Sequence, residues 1–188
     1  MKELSLNILD IAQNSIHADA TLVQILLDET DESLTLSIVD DGKGMSEEFV
    51  SRVTDPFSTT RTTRKVGMGL PLLKLAAEQT GGSLAIESRE RTLYPEDHGT
   101  KVTAFFYKNH LDFTPLGDVV STVVSLVQGS PDVDFLFRHT FPDHTVELDT
   151  REIREVLGEE VPLSSPDVLV WIRETLTEQY EGTDEEDE

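Results

Sequence analysis

Apolar residues recur at three- and four-residue spacing over positions 4–18. Leu4, Ile8, Ile11 and Ser15 form one stripe, widened by Leu9, Ala12 and Ile16, and the pattern predicts an amphipathic helix. After a break at Asp19-Ala20, the run Leu22 to Leu27 predicts a strand. The alternation of Leu34, Leu36 and Ile38 with Thr35, Ser37 and Val39 predicts a second, half-buried one beyond an acidic turn at 28–33. Asp41-Gly42-Lys43-Gly44 ends it, and Ser46-Glu47-Glu48 has the form of a capped helix start. Positions 58–65 are rich in Thr and Arg, lack periodicity and read as a mobile loop. A helix is expected over 69–80, stopped at Gly81-Gly82, followed by strands at 83–89 and 101–108. The order helix, two strands, two helices, two strands predicts an α+β protein: a two-layer α/β sandwich with helices on one face of a mixed sheet.

Residues 112–115 read as a boundary, which divides the chain into a domain at 1–110, a small α/β unit at 111–180 and an acidic tail at 181–188. In the second unit a helix is expected over 116–127, and strands over 133–139 and 145–148 around a Phe141-Pro142-Asp143 turn. Asp149 and Glu152 have capping-box spacing. Ser165-Pro166 places a cap and a first-turn proline ahead of a last helix, on which Leu169, Ile172, Leu176 and Tyr180 share a face. The tail is nearly all acid and is expected to be disordered.

Charge changes the picture for the second unit. The chain has 37 acidic and 15 basic residues, net −22. Residues 112–188 hold 20 of the acids and only 4 arginines, and no lysine follows Lys108. Such a surface repels phosphate backbones, so nucleic acid is not an expected partner. The acid excess reads either as solubility or a salt-rich cytoplasm, or as a surface for a basic protein partner. There are no cysteines, which removes disulfides and thiolate metal sites. No apolar run is long enough to span a membrane, and the start MKELSLNILD lacks the form of a secretory signal; a cytoplasmic protein is expected, without a membrane partner.

Four separated segments carry candidate chemistry. Asp10 and Asn14 lie one helical turn apart on one face. An Asn oxygen there suits Mg²⁺ that bridges phosphates, and a carboxylate a turn earlier suits a general base or a water bound to that ion. Asp40, at a strand end beside Gly42, Gly44 and Met45, can accept a hydrogen bond from an exocyclic amine while the glycines let a flat base approach; an ordinary Asp-Gly turn is the alternative. Gly67, Met68, Gly69 and Leu70 stand ahead of a helix, whose N-terminal N–H groups suit phosphate, and Arg61, Arg64 and Lys65 lie just before. Gly99-Thr100 opens the last strand of the first unit.

In this order the segments resemble the ATP-binding domain shared by histidine kinases, gyrase, mismatch-repair ATPases and anti-sigma serine kinases (the GHKL superfamily), over about residues 4–108. Asp10–Asn14 resembles the N box and Asp40-x-Gly42-x-Gly44 the first glycine box. Asp55-Pro-Phe57-Ser-Thr-Thr60-Arg61 resembles the F box, and Gly67-Met68-Gly69-Leu70 the second glycine box; Gly99-Thr100 matches the last. The stretch from Asp55 onward is most similar to histidine kinases, while Asn14-Ser-Ile-His-Ala-Asp-Ala-Thr looks like the mismatch-repair version. The resemblance implies a Bergerat-type fold that binds ATP with Mg²⁺. It further implies that Asp40 reads the adenine amine, that Asn14 ligates Mg²⁺ and that 61–69 is the ATP lid, with Phe57, Thr60, Arg61, Lys65 and Thr100 also at the nucleotide.

Two departures shape the functional expectation. Only nine residues precede Asp10, so the helical hairpin and phospho-acceptor histidine of a histidine kinase are not expected here. Position 10 holds Asp where hydrolysing relatives usually have Glu and histidine kinases Asn. The leading expectation is a stand-alone signalling kinase that passes phosphate to an unidentified partner protein in trans. An ATP-gated interaction switch with little or no hydrolysis, and an anti-sigma-type serine kinase, stay open as alternatives. So does a homodimeric clamp of the mismatch-repair kind.

Overall fold

Strand alternation becomes, in three dimensions, a set of rows that cross one sheet. The computed structural model describes residues 3–55 and 68–182. The elements are α1 (Leu4–His17), β1 (Leu22–Glu29), β2 (Ser33–Asp40), α2 (Glu47–Val53), α3 (Gly69–Gln79), β3 (Ser83–Arg89) and β4 (Gly99–Tyr107), then α4 (Val119–Gly129), β5 (Asp134–Thr140), β6 (Thr145–Asp149), α5 (Thr150–Leu157) and α6 (Pro166–Glu181). The loop expected at 58–65 and the last six residues of the tail lie outside the described residues; Glu181 and Gly182 close α6.

The six strands form a mixed sheet in the order β3-β4-β2-β1-β5-β6, antiparallel except where β5 lies parallel to β1. One row, Ile86–Val102–Ile38–Ile25–Phe137–Leu148, crosses all six strands. Its members from Val102 to Leu148 are buried, in one cluster with Ile8 and Ile11 of α1, Leu73 and Ala77 of α3, Val123 and Val127 of α4 and Ile172 and Leu176 of α6. Burying such side chains contributes about 1.5–3 kcal/mol each, so this row and its helix layer are the main source of stability. Residues on both sides of position 110 therefore share one sheet and one buried cluster.

The expected helix at 116–127 starts later, at Val119, for a local reason. Gly117 has a φ of 77°, outside the helical range, and the Asp118 carboxylate caps the helix through Ser121 N (3.0 Å). The extended segment before it is used elsewhere: the carbonyls of Pro115 and Leu116 accept from Leu4 N and Ser5 N, both at 2.8 Å. They satisfy the first turn of α1, which has no side-chain cap of its own. Ser165 likewise occupies the cap position of α6 without a side-chain cap bond, leaving Pro166 as the start signal that operates.

One polar residue interrupts the buried rows. His139 is 1% exposed. Its Nδ1 lies 2.8 Å from the Tyr180 hydroxyl and its Nε2 2.7 Å from Glu29, whose other oxygen meets Lys108 Nζ at 2.7 Å. The His139 hydrogen bond holds the Glu29 carboxyl below its usual range against partial burial, with Lys108 adding to the effect. Because the folded value is depressed, this contribution is present above about pH 4.5 and is lost as pH falls through the lowered value. Glu29→Gln is expected to cost about 1–3 kcal/mol, read from urea unfolding at neutral pH. The deficit relative to the parent should shrink as the pH is taken below 4.5.

Candidate functional site

At one end of the sheet the inward-facing rows turn polar. Ser88 pairs with Thr100 and Thr100 with Asp40, one step beyond the apolar Ile86–Val102–Ile38 row. Period-two alternation places Asp40 on the core side because Leu34, Leu36 and Ile38 are there. A carboxylate thus projects into the layer between sheet and helices, opposite the C-terminal half of α1.

Its surroundings hold it in place. Asp40 Oδ2 accepts from the Ser15 hydroxyl at 2.6 Å and Oδ1 from Gly42 N at 2.9 Å. Burial pushes its carboxyl above the usual range, an effect opposed by those two donors and Thr100 and reinforced by the neighbouring Asp41. Asp41 has a different task. Burial would raise it, but the Thr21 hydroxyl and the N–H groups of Leu22 and Thr21 outweigh that and hold it below the usual range. It ties the start of β1 to the end of β2.

The turn after Asp40 is latched on two sides. Lys43 N donates to the Ala18 carbonyl at the end of α1, and Arg91 N donates to the Lys43 carbonyl, both at 2.8 Å. His98 Nδ1 lies 2.6 Å from the Gly42 carbonyl. Gly44 has a φ of 70°, and a side chain there would overlap the Arg89 carbonyl. On the far side, Ser88 Oγ bridges Thr100 Oγ1 (2.8 Å), the Gly99 carbonyl (3.1 Å) and Met45 N (2.8 Å).

Between these groups lies a cavity of about 730 Å³. Of the residues singled out in the sequence, Asn14, Asp40, Gly44, Met45, Leu70 and Thr100 line it together. Ile11, Ile38, Phe49 and Val102 add apolar walls, and His17 and Lys43 polar ones. Apolar walls around one anchored acceptor fit a flat heterocycle with an exocyclic amine, the chemistry of an adenine base. Asp10 and Gly69 are not in the lining. They meet each other instead: a side chain on Gly69 would stand 3.1 Å from Asp10 Cβ, so the exposed Asp10 packs against the first turn of α3. Gly42 is not in the lining but donates its N–H to Asp40, and Met68 is exposed. Phe57, Thr60, Arg61, Lys65 and Gly67 lie outside the described residues.

Among the described residues, no group of three His, Asp or Glu side chains is arranged to hold a metal ion. Asn14 in the lining would be the residue to offer an oxygen to Mg²⁺ brought in with phosphate, which needs only one or two protein ligands.

Ser15, Ser88 and His98 also serve the site, and the sequence pattern does not mark them. Ser15 falls on the apolar stripe of α1 and there passes for a small core residue. Its only signal is position: it follows Asn14, and a hydroxyl on a buried stripe needs a partner. Ser15→Ala is expected to raise the Asp40 carboxyl further. Nucleotide affinity should fall about tenfold, the equivalent of one charge-assisted hydrogen bond, measured by calorimetric titration at neutral pH.

Residues 1–110 match the family described as Histidine kinase-, DNA gyrase B-, and HSP90-like ATPase. The chain belongs to that family. Sporulation kinase D of Bacillus subtilis is 32% identical to this ATPase-family chain over 98 residues, 51% of this chain and 18% of that protein. A putative sensor histidine kinase, NtrY-like, of Rickettsia felis is 28% identical over 91 residues, 48% of this chain and 15% of that protein. The chain thus spans less than a fifth of the length of these curated relatives. Among solved structures, the Aquifex aeolicus MutL ATPase domain complexed with ADP has a TM-score of 0.53 at 13% identity, covering 93% of this chain and 88% of that one. The N-terminal domain of a DNA repair protein has a TM-score of 0.56 at 15% identity, covering 84% and 57%. At such identities the likeness speaks for the fold, and at 93% coverage it extends past residue 110. The family's α+β Bergerat-type sandwich, with its mixed sheet, is the fold of this chain.

Among the described residues, no helix is long and apolar enough to cross a membrane.

Proposed function

We propose that this histidine kinase-like ATPase binds MgATP in the cavity of about 730 Å³ and acts as a signalling kinase that transfers the γ-phosphoryl to a partner protein in trans. The observation that carries the reading is Asp40. A partly buried carboxylate, pinned by Ser15 and Gly42 in a cavity walled by Ile38, Met45, Leu70 and Val102, is the acceptor an adenine amine needs. Family membership and the histidine-kinase relatives support the kinase part. Asn14 lines the cavity from α1, and the first turn of α3, which has no side-chain cap among the described residues, lies against the same helix; on this reading both would serve the phosphates. Bound Mg²⁺ would supply charge neutralisation on the β- and γ-phosphates. An acceptor atom of the partner then attacks the γ-phosphorus, its bond to the bridging oxygen breaks, and ADP leaves with that electron pair. Within this scheme residues 1–110 serve the nucleotide and 111–180 face partners.

One observation favours a second reading, an ATP-gated interaction switch with little or no hydrolysis. Asp10 is exposed and stands outside the cavity lining, packed on α3 rather than aimed at the site.

Calorimetric titration with MgATP tests the shared premise: saturable 1:1 binding is expected, and no heat from folded protein would end both readings. Label transfer from γ-labelled ATP separates them. The kinase reading expects a labelled partner protein. The switch reading expects no label and a partner affinity that changes between ATP and ADP.

A further inference from the structure

The far edge of the sheet carries a second cavity that the nucleotide reading does not use. A groove of about 740 Å³ lies between α5 and α6, alongside β6, with β1 and β5 separating it from β2 and its Asp40. Leu148, Ile153 and Val168 form a buried floor. Above them stand apolar side chains open to solvent: Val156 is 87% exposed, Trp171 51% and Val161 39%. Apolar surface of this kind, in a concave setting, marks a contact site, and tryptophan is the residue type that most often anchors one.

We propose that this groove binds a basic amphipathic protein segment, one that lays an apolar face on Trp171 and Val156 and places Lys or Arg over the acidic rim. Charge decides the occupant. Glu147, Asp149, Glu152 and Asp167 line the groove, and Glu155, Glu159 and Glu160 stand exposed around α5. The arginines close by are already engaged: Arg151 with Asp149 at 2.7 Å, Arg154 with Asp134 at 2.7 Å and Arg138 with Glu147 at 2.6 Å. Glu152 and Asp167 have no ion-pair partner among the described residues. The field over the groove is therefore negative and favours a cationic ligand. The chain's own end at 183–188, five acids in six residues, is repelled by it. A second copy of a chain with net charge −22 is disfavoured on the same ground.

The edge of β6 narrows the mode of binding. Glu147 N donates to the Gln179 side-chain oxygen at 2.8 Å, and the Gln179 amide donates back to the Glu147 carbonyl at 3.1 Å. A side chain of α6 thus occupies the backbone groups that an added strand would need, so the partner enters through side chains in the groove, as a helix does.

Trp171 is the only tryptophan of the chain, so its emission reports on this groove alone. The full chain is titrated with a two-heptad Leu/Lys amphipathic helical peptide, with a permutation of that peptide in which leucines and lysines are no longer segregated, and with a Leu/Glu counterpart. The expected result is a saturable blue shift with the first peptide, at least tenfold weaker binding of the permuted one and no shift with the third. Val156→Asp, at an exposed position that leaves the fold intact, is expected to weaken the first peptide at least tenfold while MgATP binding stays unchanged. Equal binding of the segregated and permuted peptides, or indifference to Val156→Asp, overturns the proposal by reducing it to general charge attraction. A Trp171 shift that follows protein concentration alone, with a dimer in sedimentation, overturns it in favour of a second copy.

Discussion

Asp40→Asn is expected to abolish measurable nucleotide binding while the protein stays folded. Asp40 offers a carboxylate whose oxygens are already oriented by Ser15 at 2.6 Å and Gly42 N at 2.9 Å. An amide keeps one acceptor for Gly42 but sets an NH₂ where the second oxygen stood, so an exocyclic amine arriving there meets a donor. The loss combines a charge-assisted hydrogen bond, about 1.5–3 kcal/mol, with an unpaired buried donor, about 1–3 kcal/mol. Together these predict a Kd raised by roughly 10² to 10⁴-fold, measured by calorimetry. Stability should move the other way. Burial raises the Asp40 carboxyl, so its ionised form opposes folding, and the neutral amide removes that cost. A melting temperature at or above that of the parent at neutral pH, together with lost binding, is the predicted pair. For the unsubstituted chain, affinity should begin to fall during acidification before pH reaches the ordinary 3.8 of an aspartate, because protonation removes the acceptor at the raised value.

Gly99→Ala should produce the largest loss of stability among single-methyl additions at the site. Gly99 has a φ of 142°, and a side chain there would overlap the carbonyl oxygen of Asp40 on the adjacent strand. Neither backbone can yield without parting the Asp40–Thr100 pairing. A cost of about 3 kcal/mol or more is expected, a fall in melting temperature of roughly 6–12 °C for a domain of this size. Nucleotide affinity should fall with it, since Asp40 and Thr100 move together. Gly129→Ala serves as the control. It lies in the last turn of α4 with nothing within 4 Å of the added carbon, and should leave melting unchanged or slightly raised.

How much of this could be read from residues alone depends on the range of the forces involved. The helix over 4–17, the alternating strands and the caps at Ser46, Asp118 and Asp149 rest on interactions within a few residues, and apart from the Asp118 cap each has its signal in the sequence. The association of Asn14, Asp40 and Thr100 was legible for another reason: their spacing matches a known family, which stores long-range information that local physics lacks. What stayed hidden is long-range and specific to this chain. Nothing near Ser15 announces a carboxylate 25 positions away. Nothing near His139 announces Glu29, 110 positions earlier. The chain after residue 111 gave correct elements but not their place, because a short apolar strand carries no label saying which neighbour it will join.

The parallel pairing of β5 with β1 also sets a timetable for synthesis. Asp134 sits beside Leu22, so β5 leaves the ribosome 112 residues after its neighbour. At cellular elongation rates that interval is about 6–22 s. For all of it the nascent chain holds β1 with one row of backbone groups bare and the apolar side chains of its inner face incompletely covered. Chaperone dependence of expression should therefore concentrate in that window, and a stalled chain of about 130 residues should be the species that a holdase captures.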